Sequence, residues 1–205
     1  MTSADHLDQL PLRHRTPTRW ATMALQHPLV LLNDHAHLEK KAATNALELL
    51  NRWPEPCPPE NWVAAMTAIA RDEVEHLAVV VRLIARRGGR LTRMHRNPYA
   101  SQLRSLVRSG MGPDELMDRL MISALIEARS CERFKLLADV ATDKELAKLY
   151  RGLWASEAGH YRVFIDLARQ LKTATPVEAR WNQMLDAEAA IIADQPTKPA
   201  MHGGA

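Results

Sequence analysis

The sequence predicts an all-α protein: four long amphipathic helices, one long crossover between the second and third, and shorter accessory helices. Three observations carry this. No segment alternates apolar and polar residues as a half-buried strand does, whereas several long windows repeat at three, four and seven residues. Aromatic residues make up only 5% of the chain, so strand formers are scarce beside abundant Ala, Leu, Arg and Glu. Proline and glycine clusters fall at the ends of these windows, where helices must stop.

The elements follow in order. Residues 1–19 are polar with scattered prolines and read as an irregular N-terminal arm. A first long helix is expected from Pro28 to about Trp53, ended by Pro54-Glu55-Pro56-Cys57-Pro58-Pro59, because proline lacks the amide proton and clashes with the preceding turn. A second runs from about Glu60 to Arg87 and stops at Gly88-Gly89. A long connection then holds a short helix at about Pro98–Ser109. Gly112-Pro113-Asp114-Glu115 opens the third long helix, with proline near its start and acids in its first turn, and it runs to about Val140. Thr142-Asp143-Lys144-Glu145 has the spacing of a capping box and opens the fourth, to about Thr173. Thr175-Pro176-Val177-Glu178 repeats that spacing and opens a last helix to about Asp194, followed by a disordered tail, 195–205. Short outer connections with a long middle one describe a ferritin-like four-helix bundle, here over residues 20–194.

The bulk properties narrow the class. A chain of 205 residues suffices for one domain with a sizeable core. Two cysteines, Cys57 and Cys131, cannot build a disulfide framework or a cysteine-based zinc site, which fits a reducing compartment. The N-terminal residues show no apolar leader, and the longest aliphatic run, Leu77–Val81, is far too short to span a bilayer. A cytoplasmic location without membrane association is expected.

Each long helix has an apolar stripe that contains a glutamate. Glu39 shares its face with Leu32, Ala36, Ala42, Ala43, Ala46 and Leu50; Glu73 with Met66, Ile69, Ala70, Leu77, Val80 and Ile84. Glu127 lines up with Leu116, Leu120, Ala124, Cys131, Phe134 and Ala138; Glu157 with Tyr150, Leu153, Trp154, Tyr161 and Phe164. Burying one unpaired carboxylate costs at least several kcal/mol, and four in one core repel each other, so a cation must offset them. Two of the four have a histidine three residues on: Glu73 with His76 and Glu157 with His160. At that spacing both side chains leave the same side of the helix. Two Glu-x-x-His helices and two helices giving one Glu each form the ligand set of di-iron and di-manganese carboxylate bundles. Glu39, Glu73, His76, Glu127, Glu157 and His160 are therefore the candidate ligands. Asp72 is a candidate hydrogen-bond partner for a ligand histidine on a facing helix, with His160 the first choice. His35, one turn before Glu39, and Glu132, near Glu127, read as bystanders, and Tyr150 and Tyr161 as core.

Between Glu75 and Asp114 there is no Asp or Glu, yet there are Arg82, Arg86, Arg87, Arg90, Arg93, Arg96, Arg104 and Arg108. The chain carries a formal +3, so the remainder is net negative and the basic character is local. Arginine suits bidentate phosphate contacts and stacking on bases, so a nucleic-acid partner is expected, with Arg82, Arg86, Arg87, Arg90, Arg93 and Arg96 as candidate RNA contacts.

These residues resemble a known family. HLEKKAA at 37–43, RDEVEH at 71–76, the arginine-rich crossover, ALIEARSCERF at 124–134 and SEAGHY at 156–161 are similar to the MiaE family, the tRNA 2-methylthio-N6-isopentenyladenosine hydroxylases. The resemblance implies a ferritin-like non-haem di-iron monooxygenase that hydroxylates the isopentenyl group of that nucleoside near the tRNA anticodon. It implies two iron ions, with manganese as the alternative metal, at the six candidate ligands. It further implies dioxygen as co-substrate, the anticodon stem-loop of tRNA as partner, and two electrons from a donor such as a ferredoxin–reductase system. The competing readings are a ferritin- or rubrerythrin-like ferroxidase, another di-metal carboxylate protein, and a metal-free helical RNA-binding or scaffold protein.

Overall fold

A computed structural model of the chain describes residues 10–53 and 56–205. Seven helices occur among them: α1 (Thr18–Leu25), α2 (Pro28–Leu50), α3 (Glu60–Arg86), α4 (Pro98–Arg104), α5 (Pro113–Val140), α6 (Lys144–Ala168) and α7 (Val177–Ala193). The helices group into two compact units, His27–Arg96 and the residues up to Gln26 together with Asn97–Ala205. None of the described helices is long and apolar enough to cross a membrane.

The unit His27–Arg96 is an antiparallel hairpin of α2 and α3. Proline at the first position of α2 costs no hydrogen bond there. At the connecting end, Trp53 and Trp62 meet edge to face with ring centroids 5.0 Å apart. At the open end α3 finishes in a Schellman turn: Gly88 donates to Ala85 O at 3.0 Å and Gly89 to Ile84 O at 2.9 Å, with Gly88 at φ +73°. Gly89 lies so close to α2 that a Cβ would stand 2.8 Å from Leu29 Cδ2. Of the proline segment expected to end α2, Pro54 and Glu55 lie outside the described residues.

The second unit is built on the antiparallel pair α5–α6, with α1, α4 and α7. Phe134 stacks on Tyr150 with centroids 5.8 Å apart, and Arg133 lies over the Trp20 ring at 3.9 Å. Helix α5 buries residues on every side, including the charged Asp114, Asp118, Arg129, Glu132 and Arg133. Asp114, Asp118, Arg129 and Glu132 are ion-paired, whereas Arg133 rests on the Trp20 ring and a backbone carbonyl. Arg129 donates from Nε and Nη2 to Glu188, each at 2.9 Å, and from Nη1 to Glu132; Tyr99 donates to Glu188 at 2.9 Å. Glu132 also accepts from the Thr16 amide and hydroxyl at 3.0 and 2.6 Å. Asp118 accepts from Arg108 and Arg180, each at 2.8 Å.

Four expectations change. Residues 1–9 of the predicted arm lie outside the described residues, but α1 begins within its last residues, at Thr18, and buries Trp20, Ala21 and Ala24. Helix α6 is capped by Asp143, which accepts from the amides of Glu145 and Leu146 at 2.9 and 3.2 Å, rather than by Thr142. The second capping box does not form: Pro176 stands at the cap of α7, and the Thr175 hydroxyl accepts from Arg108 at 2.7 Å instead.

The tail predicted to be disordered is folded. Met201 and His202 are buried, Arg133 donates to Gly203 O at 3.0 Å, and Trp20 donates to Ala200 O at 3.3 Å. A Cβ on Gly204 would stand 1.9 Å from Gln195 O, so only glycine fits that turn.

Candidate metal centre

The six candidate ligands fall into two groups of three, one in each unit. In the hairpin, Glu39 from α2 and Glu73 and His76 from α3 each offer a donor atom, and these lie within 4.8 Å of one another. His76 Nδ1 is 3.8 Å from Glu39 Oε2 and 3.9 Å from Glu73 Oε2. In the second unit, Glu127 from α5 and Glu157 and His160 from α6 form the same pattern within the same limit. His160 Nδ1 is 2.8 Å from Glu157 Oε2. All four glutamates are buried.

The local reason is the helical period. Glu73 and His76, and Glu157 and His160, are one turn apart and project from one side of their helices. The short connections then bring Glu39 beside Glu73 and Glu127 beside Glu157, 34 and 30 residues on.

The donor set fits a metal pair of the iron or manganese type. Each group offers two carboxylates and one imidazole, hard oxygen with nitrogen. Donors bound to one ion at about 2.1 Å stand about 3 Å apart, and the three histidine–glutamate spacings, 2.8, 3.8 and 3.9 Å, are of that order.

His35 is not the bystander its position suggested. It is buried one turn before Glu39, and its Nε2 hydrogen-bonds Glu39 Oε1, leaving Oε2 on the side of His76. Burial alone would push the Glu39 carboxyl up, but the adjacent His35 imidazole and hydrogen bonding with His76 and Glu73 outweigh it and hold the group below the usual carboxylate range. Glu132, in contrast, is committed to Arg129 and Thr16. Tyr150 is buried against Phe134, as expected of a core residue. The Cys131 thiol is pushed up to about 12 by burial and by the carboxylates of Glu157 and Glu127, so it stays protonated.

Asp72 accepts from its neighbour Arg71 at 2.9 Å. Of the arginines, Arg82, Arg86, Arg90, Arg93 and Arg96 are exposed and Arg87 is half-buried. Arg108, counted in the basic stretch, is a structural residue: it holds Asp118, Asp114 and Thr175. Sequence reasoning also missed how the 90–96 segment is anchored. The Thr92 amide donates to Asn33 Oδ1 at 2.8 Å, and His37 Nε2 donates to Thr92 O at 2.9 Å. Lys41 donates to His95 Nδ1 at 2.8 Å, so the proton of His95 sits on Nε2 and is donated to Asp34 at 2.7 Å. A histidine–acid pair across 61 residues has no local sequence signal.

Comparison with known proteins agrees with this arrangement. The pattern of the family described as tRNA-(MS[2]IO[6]A)-hydroxylase (MiaE) matches residues 5–203. A protein from Pseudomonas putida named tRNA 2-(methylsulfanyl)-N(6)-isopentenyladenosine(37) hydroxylase is 36% identical over 189 residues, covering 92% of this chain and 90% of its own. One of the same name from Salmonella typhimurium is 28% identical, covering 92% and 86%. Among solved structures, a Synechococcus protein described as having aldehyde deformylating oxygenase activity superposes with a TM-score of 0.85 at 34% identity, covering 94% of this chain and 96% of that one. The fold is accordingly all-α and ferritin-like. With nearly its whole length matched, and with both carboxylate–imidazole groups in place, the chain belongs to the MiaE family.

Proposed function

We propose that this chain hydroxylates the isopentenyl group of 2-methylthio-N6-isopentenyladenosine in tRNA, beside the anticodon, with two irons as cofactor and Glu39, Glu73, His76, Glu127, Glu157 and His160 as the ligand set. The observation that carries the reading is the pair of carboxylate–imidazole triads with buried carboxylates, one on each helix hairpin of a chain that follows the MiaE pattern over residues 5–203. Iron is favoured by the oxygen-rich donor set, with manganese as the alternative. When bound, a reduced iron pair supplies the two-electron activation of dioxygen that places one oxygen atom in an allylic C–H bond and releases the other as water.

The chain's own residues set the conditions for that step. Glu39 is held by His35 through Oε1, so Oε2 is turned to the side of His76, where it is offered to a metal. Asp72, next to Glu73 in the chain, is assigned as an outer hydrogen-bond partner of a ligand histidine, a role that fixes the ring's tautomer. Tyr150, Phe134, Leu153 and Phe164 are buried apolar surface on the α5–α6 side that excludes water from the reacting carbon. The protonated Cys131 thiol adds no charge there. Electrons come from an external donor such as a ferredoxin–reductase pair. The arginines of the 82–96 stretch hold tRNA phosphates while the modified base leaves the stack.

A ferroxidase would use the same ligands but has no need of an arginine surface, and the family assignment does not favour it. The test is nucleoside mass spectrometry of tRNA incubated with iron(II)-loaded protein, a reductant and isotopically labelled dioxygen. One labelled oxygen atom on the isopentenylated adenosine is expected. An unchanged nucleoside from protein with full iron content refutes the proposal.

A further inference from the structure

Within the hairpin unit, the segment joining the Schellman turn of α3 to Arg96 presents an unusual surface. Met94 is 75% exposed and Leu91 42% exposed, alternating with exposed Arg90, Arg93 and Arg96. Large apolar side chains held in water are unfavourable, and a floppy loop would turn them inward. This loop cannot, because it is fastened to α2 at both its middle and its end: Thr92 to Asn33 and His37, His95 to Asp34 and Lys41, with the His37 and His95 rings stacked 4.9 Å apart at 4°. The fastening residues are not among the six candidate metal ligands. Their effect is to hold two apolar tips and three guanidinium groups outward in one conformation.

We propose that residues 90–96 form a preorganised RNA grip: Leu91 and Met94 wedge against unstacked bases of the anticodon loop while Arg90, Arg93 and Arg96 take the flanking phosphates. The inference rests on the tRNA reading above and extends it to named contacts. Charge and shape select the partner. The interval 76–113 contains no acid, and arginine alternating with apolar tips matches a strand whose phosphates and bases alternate. Apolar wedges, methionine and leucine among them, are a recurrent means of opening a base step. Sequence-specific RNA recognition uses loops whose bases are already splayed.

The test is binding of an anticodon stem-loop RNA with a seven-nucleotide loop, measured across a salt series, for the iron-loaded full-length protein. Met94→Ala is expected to weaken binding about tenfold and leave the salt dependence unchanged. The double variant Arg93→Ala/Arg96→Ala is expected to lower the slope of log K against log salt by about 1.5, as for two lost phosphate contacts. Asn33→Ala, which frees the loop without touching its tips, is expected to weaken binding about threefold. Iron content and helical circular dichroism should stay at wild-type values in all three. If the wild type hydroxylates tRNA while all variants bind with unchanged affinity and slope, the grip is refuted and the hydroxylase reading stands. If the wild type neither binds the hairpin nor modifies tRNA, both fall. Binding of anionic phospholipid vesicles in place of RNA would likewise overturn the grip.

Discussion

Replacing Glu73 by glutamine separates holding a metal from holding the fold. Glu73 is 1% exposed, and its donor oxygen lies within 4.8 Å of one from Glu39. Two ionised carboxylates at that distance would repel by about 3 kcal/mol at an effective dielectric constant of about 20, an upper limit here because Glu39 and Glu73 hydrogen-bond one another. Hydrogen bonding from His35 to Glu39, and His76 at 3.8 and 3.9 Å from the two acids, offset part of this. Stripped of metal, the Glu73→Gln protein is therefore expected to be more stable than wild type by about 1–3 kcal/mol, each kcal/mol raising Tm by about 2–4 °C at this chain length. Iron(II) reverses the order. At a free concentration of about 100 times Kd it stabilises the wild type by about 2.7 kcal/mol, whereas the variant, short of one ligand, gains less. The assay is urea and thermal unfolding of chelator-treated and anaerobically iron-loaded samples, with iron counted by mass spectrometry. If the stripped variant proves less stable than stripped wild type by more than about 1 kcal/mol, Glu73 is a structural hydrogen-bonding residue and the reasoning fails.

Three further outcomes follow from the same structure. Glu127→Ala is expected to lower iron content and abolish hydroxylation; activity surviving with full iron would remove it from the ligand set. Asp118, fully buried, is pushed up by burial but pulled further down by the guanidinium groups of Arg108 and Arg180, so its folded value lies below its unfolded one. Its stabilisation is thus complete above about pH 4 and lost as pH falls through the folded value. Asp118→Asn should cost about 3–5 kcal/mol at neutral pH and flatten the acid limb of the stability curve, which pH-dependent urea titration would show. Deleting residues 196–205 removes the buried Met201 and the carbonyls that Trp20 and Arg133 bond, and should cost about 2–4 kcal/mol; an unchanged Tm would show that the tail's packing contributes nothing.

The long helices were legible because their signals are local. Pro28, Glu60, Pro113 and Val140 are element ends in the structure, and each is marked by proline, glycine or the end of an apolar stripe within a few residues. The six candidate ligands were legible for a related reason. A glutamate inside an apolar stripe contradicts its surroundings, and the contradiction recurs with helical period and a paired histidine, so the sequence itself records that charge must be neutralised there. Signals that depend on partners far along the chain left no such record. Thr175 has the spacing of a helix cap, but Arg108, 67 residues away, takes its hydroxyl. The Pro- and Gly-rich tail has the composition of a free end, yet Arg133, 70 residues before Gly203, supplies a donor that holds it. Arg129 and Glu188 neutralise each other across 59 residues, so neither looks misplaced on its own helix.

This contrast explains why the site could be read while its supports could not. A metal ion would be a partner absent from the sequence, so each glutamate proposed to bind it is left as an unexplained charge in an apolar stripe. A side-chain partner is present in the sequence but unmarked, so its pairing is hidden until the chain folds. His35 lies between the two cases. It sits four residues before Glu39, within one turn and on the same buried face, and periodicity alone was enough to place it there. What periodicity lacked was a reason for the ring to bond the carboxylate rather than pack beside it. That reason is the burial of Glu39 itself: a carboxylate that must keep one oxygen for a metal still has a second to satisfy, and in an apolar stripe the adjacent imidazole is the donor within reach.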